Sequence, residues 1–130
     1  AEELLRREIK KAKGLIEGEK KVRKILEASA DKKILVLPEE LPWGRVLRDK
    51  PEVMFVVCHR NDGRWGAKVV QDEGFKSRKP FPASWGGKTG EELQKLTGIS
   101  DSVFCHRALF LALAESKEGA IKLAEKALNA

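Results

Sequence analysis

The sequence predicts an α+β fold, a single domain whose largely antiparallel sheet carries helices packed on one face. The observations behind this are amphipathic helical periodicity at both ends of the chain and, between them, short runs of β-branched and aromatic residues. The clearest of those runs, Val53 to His59 and Arg64 to Val70, flank Asn61-Asp62-Gly63, where Gly63 can take the positive φ of a tight reversal. At 130 residues the chain fits one domain, and 42% hydrophobic with 35% charged content favours a charge-decorated globule over a disordered segment.

Taken in order, residues 2 to 29 place Leu5, Ile9, Ala12, Ile16, Val22, Ile25 and Leu26 near a helical period. Gly14 or Gly18 offers a point for a bend. The apolar stripe needs a partner, either the domain's own sheet or another domain. Ile34 to Leu37 reads as a strand stopped by Pro38 and Pro42, with irregular chain after it. After the hairpin comes "FKSRKPFPASWGGKTGEEL", residues 75 to 93, where Pro80, Pro82 and the Gly86-Gly87 pair exclude a long helix or a central strand. Thr89 with Glu92 three residues on is a capping-box pattern for a helix ending before Gly98. "SVFCHRALFLALAES" reads as one or two strands. Ser116 then caps a helix from Lys117 to about Asn129 that buries Ile121, Ala124 and Leu128. No repeat or low-complexity linker interrupts this order, which divides into an amphipathic connecting helix, 1–30, and the α+β body, 31–130.

The net charge of +6 favours polyanionic partners without specifying a fold. Much of the excess sits in "RREIKK" and "EKKVRK", which read as a solvated helix face. Cys58 and Cys105 are too few and too far apart for a metal motif and lie among apolar residues; with no secretory signal ahead of them, buried free thiols and a cytoplasmic location are expected. No apolar run approaches the length of about 18 residues that a membrane span needs.

Most catalytic chemistries lack their residues. The only histidines are His59 and His106, so neither a metal hydrolase's ligand cluster nor an HExxH pattern is present, and no metal site is expected in this chain. Each histidine follows a cysteine, but neighbours on a strand point to opposite faces, which argues against a nucleophilic Cys-His pair. Gly-Lys-Thr at 87–89 lacks the upstream glycine of a phosphate loop. The 75–93 stretch is more informative, because it sets Lys76, Arg78, Lys79 and Lys88 around Phe75, Phe81 and Trp85. Trp85 and the cations could stack on a base and pair with phosphate. Alternatively, the rings pin an irregular loop to the sheet while Arg78 caps a carbonyl. Trp43 and Trp65 read as core. His106 on an apolar strand reads as a satisfied core histidine, and Arg107, on the other face, is harder to bury without a partner.

"ILVLPEELPWGRVL", "VMFVVCHRNDGRWGAKVV", "FKSRKPFPASWGGKTGEELQKLTGI" and "VFCHRALFLALAESKEGAIKLAEKAL" resemble, in this order, the C-terminal half of the melanocyte-proliferating-gene family of metal-dependent protein hydrolases. The most specific part is Arg78-Lys79-Pro80 with Pro82, Trp85, Gly86 and Glu91-Glu92-Leu93, then Gly98-Ile99, Phe104, His106 and Phe110. The resemblance implies a DHH-superfamily phosphoesterase, whose N-terminal domain holds the Asp-His-His motif and manganese or magnesium; some members are 3′ to 5′ RNA exonucleases. This chain is similar to the second, non-catalytic domain, which closes over the metal site and holds substrate. By that resemblance Arg78, Lys79, Trp85, His106 and Arg107 are the substrate-binding candidates, with no catalytic or metal-ligating residue expected. The implied partners are nucleic acid or another phosphoester and the N-terminal DHH domain in cis or in trans; a homodimer through the first helix and a stand-alone interaction module are the alternatives. One departure stands out. Ala112-Leu113 occupies the place where many relatives carry a Gly-Gly pair, which would let a phosphate approach the backbone closely.

Overall fold

A computed structural model describes residues 2–30, 33–72 and 76–130. Phe75 and the side chains of Leu5, Ile9 and Ala12 lie outside the described residues. The element order is α1 (Glu2–Ala28), β1 (Ile34–Leu37), α2 (Gly44–Arg48), β2 (Phe55–His59), β3 (Trp65–Val69), β4 (Gln71–Asp72), β5 (Lys76–Ser77), α3 (Gly90–Thr97), β6 (Ser102–Cys105), β7 (Leu111–Ala114) and α4 (Lys117–Leu128). A single 3₁₀ turn, Ala83–Trp85, precedes α3. The main sheet has five strands in the order β1-β2-β3-β7-β6, and β4 pairs with β5 in a separate ribbon. Only β1 and β2 run parallel; the other main-sheet pairs are antiparallel. The fold is therefore the expected α+β domain.

The helices are distributed differently from the expected single face. Strand alternation sends Ile34, Phe55, Val57, Ala67, Val69, Cys105, Ala112 and Ala114 to one side, where Ala120, Leu123, Ala124 and Ala127 of α4 close the larger core. On the other side Leu35, Leu37, Val56 and Cys58 meet Val22 and Leu26 of α1 and Val46 and Leu47 of α2 in a second core. A half-apolar helix at each end of the chain needs its own surface, and the two faces of β1 and β2 supply them. Fully burying a side chain such as Leu35 or Phe55 contributes about 1.5–3 kcal/mol, so each face is an appreciable source of stability.

Local chemistry explains the remaining elements. α1 runs unbroken through Gly14 and Gly18. Gly18 serves packing rather than bending, because a Cβ there would lie 2.6 Å from Cδ of Pro42. Buried Glu19 accepts two hydrogen bonds from the Arg45 guanidinium, at 3.3 and 2.8 Å, which ties α1 to α2. The short α2 falls in chain expected to be irregular. Gly63 takes φ +86° in the β2–β3 turn, as the reversal requires.

Thr89 precedes α3 in extended backbone but makes no side-chain cap; it bridges to Phe104 instead. Gly98 ends that helix in the left-handed conformation, φ +72°. Ser116 does cap α4, accepting from the Gly119 N–H at 3.0 Å and bonding the Asp101 carboxylate. Of the residues expected in the α4 core, Ala124 is fully buried, whereas Ile121 and Leu128 sit half-buried at its border. Trp43 and Trp65 are likewise border residues rather than core centres. Among the described residues no helix is long and apolar enough to cross a membrane.

Candidate functional site

The sequence candidates separate into groups with different tasks. Arg78 is spent on the fold: its side chain is only 6% exposed. Nε donates to Asp72 Oδ1 at 2.9 Å, Nη1 to the carbonyls of Lys50 and Val53 at 2.7 and 2.9 Å, and Nη2 to that of Leu47 at 2.9 Å. A guanidinium has five N–H donors, and four of Arg78's are used. It is a carbonyl cap for the end of α2 and the chain leading into β2, so most of its donors are engaged within the domain.

Trp85 is likewise engaged within the domain. It is 5% exposed, belongs to the larger core and stacks on Phe81 with centroids 5.8 Å apart, while Phe81 in turn meets Phe55 at 5.4 Å. Its ring has no free face for a base. The loop-pinning alternative is the one realised. Lys79 is half-buried and donates to the Ala130 carbonyl at 2.9 Å, beside the end of α4.

His106 and Arg107 remain, in the turn between β6 and β7. The His106 N–H donates to the Leu111 carbonyl at 2.8 Å and the Leu109 N–H to the His106 carbonyl at 2.9 Å, which closes the turn tightly enough to force Leu109 to φ +65°. A left-handed leucine costs about 1–2 kcal/mol, so the surroundings must over-determine it. They do: the Leu109 carbonyl accepts from Phe81 N–H at 3.1 Å, and its side chain lies over Gly86. A Cβ at Gly86 would stand 3.0 Å from Leu109 Cδ2 and 3.3 Å from the Arg107 carbonyl oxygen. Gly87 N–H to Cys105 O, 2.9 Å, and Cys105 N–H to Lys88 O, 3.1 Å, extend the seam. The Phe81–Lys88 segment thus clamps the His106–Arg107 turn from beside it, while Arg78 and Lys79 attach elsewhere.

The clamp leaves usable donors. His106 Nδ1 accepts the Ala108 N–H at 2.9 Å, so a neutral imidazole carries its hydrogen on Nε2. The ring is half-buried, 4.5 Å from Phe110 and 6.1 Å edge-on to Phe104. Arg107 is exposed and makes no ion pair or side-chain hydrogen bond among the described residues. Each of these groups, a directional N–H and an exposed guanidinium, can bond a phosphate or carboxylate.

Sequence reasoning passed over Lys68, Phe104 and Phe110 as binding groups. Lys68 stands in register with Leu111 across β3 and β7, and its charge is felt by the Cys58 thiol on the same face. Nothing in the sequence marked it, because only strand register shows that Lys68, Leu111 and His106 share a row.

The thiols are poor nucleophiles. Both cysteines are free and buried; burial pushes the Cys58 thiol up and the Cys105 thiol up to about 11. Among the described residues no three His, Cys, Asp or Glu side chains gather as a metal would require, so these residues do not fit a divalent ion.

A family model described as "Uncharacterised protein family (UPF0160)" matches residues 1–128. The chain is 32% identical over 126 residues to the MYG1 protein of Dictyostelium discoideum, covering 90% of this chain and 38% of that one. It is 43% identical over 64 residues to the MYG1 protein of Chlamydia muridarum, covering 49% and 21%. Similarity to the human protein named MYG1 exonuclease is 32% over 78 residues, covering 58% and 21%. The chain spans at most about two fifths of the length of these relatives.

Proposed function

The chain belongs to the uncharacterised protein family UPF0160, and from that premise we propose that it is the substrate-binding, non-catalytic domain of a metal-dependent nuclease acting on RNA or short nucleic acid. A human relative's name, MYG1 exonuclease, supports a nuclease-type hydrolase. The observation that carries the binding role is the His106–Arg107 turn, held rigid against Gly86 with an Nε2–H and a free guanidinium on offer. In this reading those two residues contact phosphate. Arg78 and Trp85 are positioning residues that hold the neighbouring segments, and Lys79 supplies positive charge near α4.

Catalysis belongs to a DHH-type domain outside this chain, N-terminal to it in cis or supplied in trans, working in the cytoplasm with manganese or magnesium. When bound there, the metal would supply Lewis-acid activation of the phosphoester and of water. The present residues contribute orientation and charge. Holding a phosphate in place lowers the entropic part of a hydrolytic barrier without any covalent step in this domain.

The test is binding and hydrolysis of short RNA by the intact protein. Affinity should fall steeply with salt, as counterion release requires, and replacing His106 and Arg107 together by alanine should weaken binding roughly tenfold or more. Unchanged affinity and cleavage in that double variant would overturn the reading. Leu15 and Ile16 of α1, 40% and 50% exposed, favour a second reading, a docking or dimerisation helix. A rise in mass with concentration, abolished by Ile16→Lys without loss of RNA binding, is its expected mark.

A further inference from the structure

Half of one sheet face is packed by neither α1 nor α2 among the described residues, and its apolar side chains range from buried Leu113 to half-buried Phe104, Phe110 and Leu111. On the side closed by α1 and α2 over β1 and β2, the remaining strands present two rows. Gly66, Leu113 and Phe104 are in register in one; Lys68, Leu111 and His106 line the other. A Cβ on Gly66 would meet Leu113 at 3.4 Å and Leu111 at 3.6 Å, which fixes these side chains on that face, and 3.4 Å to Arg60 Cδ marks its border. Leu111, Leu113, Phe104 and Phe110 belong to neither hydrophobic core. Phe104 and Phe110 are half-buried around the His106 ring. Lys68 makes no ion pair or hydrogen bond among the described residues, and neither row contains an acidic side chain.

Resting on the proposed function and deepening it, we infer that this half-sheet is a nucleobase platform: the half-buried Phe104 carries a base of single-stranded nucleic acid while Lys68 holds an adjoining phosphate. Charge selects the occupant. An aromatic floor with an ammonium that has no partner among the described residues matches a flat ring joined to an anion. A duplex is a poor fit, because its bases are stacked on one another and their faces are unavailable. Recognition through a ring face tolerates any base, so the platform selects for single-strandedness rather than sequence.

The experiment titrates the intact protein with a labelled oligouridylate of about eight nucleotides, and with an abasic ribose-phosphate chain of equal length. Phe104→Leu keeps apolar bulk and removes the ring; it should weaken oligouridylate binding roughly fivefold or more and leave the abasic chain unaffected. Lys68→Gln should weaken both probes equally and reduce the salt slope by about 0.7. In case Phe104→Leu fails to fold, photocrosslinking of 5-iodouracil RNA to the unaltered protein should label Phe104, His106 or Phe110.

If oligouridylate binds but Phe104→Leu changes nothing and crosslinks map elsewhere, the platform is wrong while the binding role stands. If no single-stranded RNA binds, both fail. A face covered by another part of the polypeptide would show as a lowered melting temperature in Phe104→Leu with binding intact, and that also overturns the platform.

Discussion

Two regions carry the same ingredients and use them in opposite ways. The segment from Lys76 to Trp85 and the turn from His106 to Phe110 each set cations beside aromatic rings. In the first, Arg78 gives four donors to the protein's own oxygens and Trp85 turns into the core. In the second, Arg107 and His106 Nε2 make no side-chain hydrogen bond or ion pair among the described residues. Residue type alone does not distinguish scaffold from site. What distinguishes them is whether several backbone carbonyls converge within reach: those of Leu47, Lys50 and Val53, at the end of α2 and after it, each accept from Arg78, whereas Arg107 makes no side-chain hydrogen bond among the described residues.

The largest effect expected from this contrast is on stability. Arg78→Ala would remove three guanidinium–carbonyl hydrogen bonds, leaving the Leu47 and Lys50 carbonyls with their backbone partners and taking the Val53 carbonyl's bond away, and should cost about 3 kcal/mol, measured by urea unfolding. Its ion pair with Asp72 adds little to that sum, since the Asp72 side chain is 54% exposed. Arg78→Lys should recover only a small part, because an ammonium cannot reach three carbonyls in a planar fork. A well-folded Arg78→Ala protein with weakened RNA binding would reverse the assignment of the two regions.

Much of the fold was legible because its signals are local. Ile34–Leu37, the hairpin around Gly63, the end of α3 at Gly98 and the cap at Ser116 each depend on neighbours in sequence. The distribution of helices over both faces was not, since a stripe such as Val22 and Leu26 shows that a helix must dock but not on which side of the sheet. α2 was hidden by its length, five residues in proline-flanked chain. The candidate site was half legible: His106 and Arg107 entered through the family resemblance. Lys68 and Phe104 become neighbours only through the register of β3, β7 and β6, which no local pattern encodes.

The seam between the regions provides a smaller, pH-dependent effect. Cys105 lies fully buried where Gly87 and Lys88 bond its backbone, and its thiol is pushed up to about 11 from an ordinary 9.0. The native state therefore keeps the proton at pH values where the unfolded chain has lost it. The associated stability is complete below about pH 8 and declines as pH rises from about 9 to 11, by about 2–3 kcal/mol in all. Cys105→Ala should flatten that share of the slope in unfolding measured at pH 8 to 11, while Cys58, shifted in the same direction by burial, retains its own. An unchanged slope would mean that the thiol ionises without disturbing the seam.

Arg107→Gln should have the smallest effect on the fold and for that reason is the most discriminating. The side chain is exposed, has no partner among the described residues and buries no apolar surface of note, so unfolding free energy should stay within about 0.5 kcal/mol of the parent. If the guanidinium meets phosphate, the same substitution must lower RNA affinity at low salt and reduce the salt slope by about 0.7, the share of one neutralised phosphate on a single strand. A loss that persists undiminished at high salt would instead indicate a distorted turn, because screening removes a charge contact but not a steric one. The pair of measurements thus separates the two uses of arginine in this domain: Arg78 should alter stability with little change in binding per folded molecule, and Arg107 should alter binding with little change in stability.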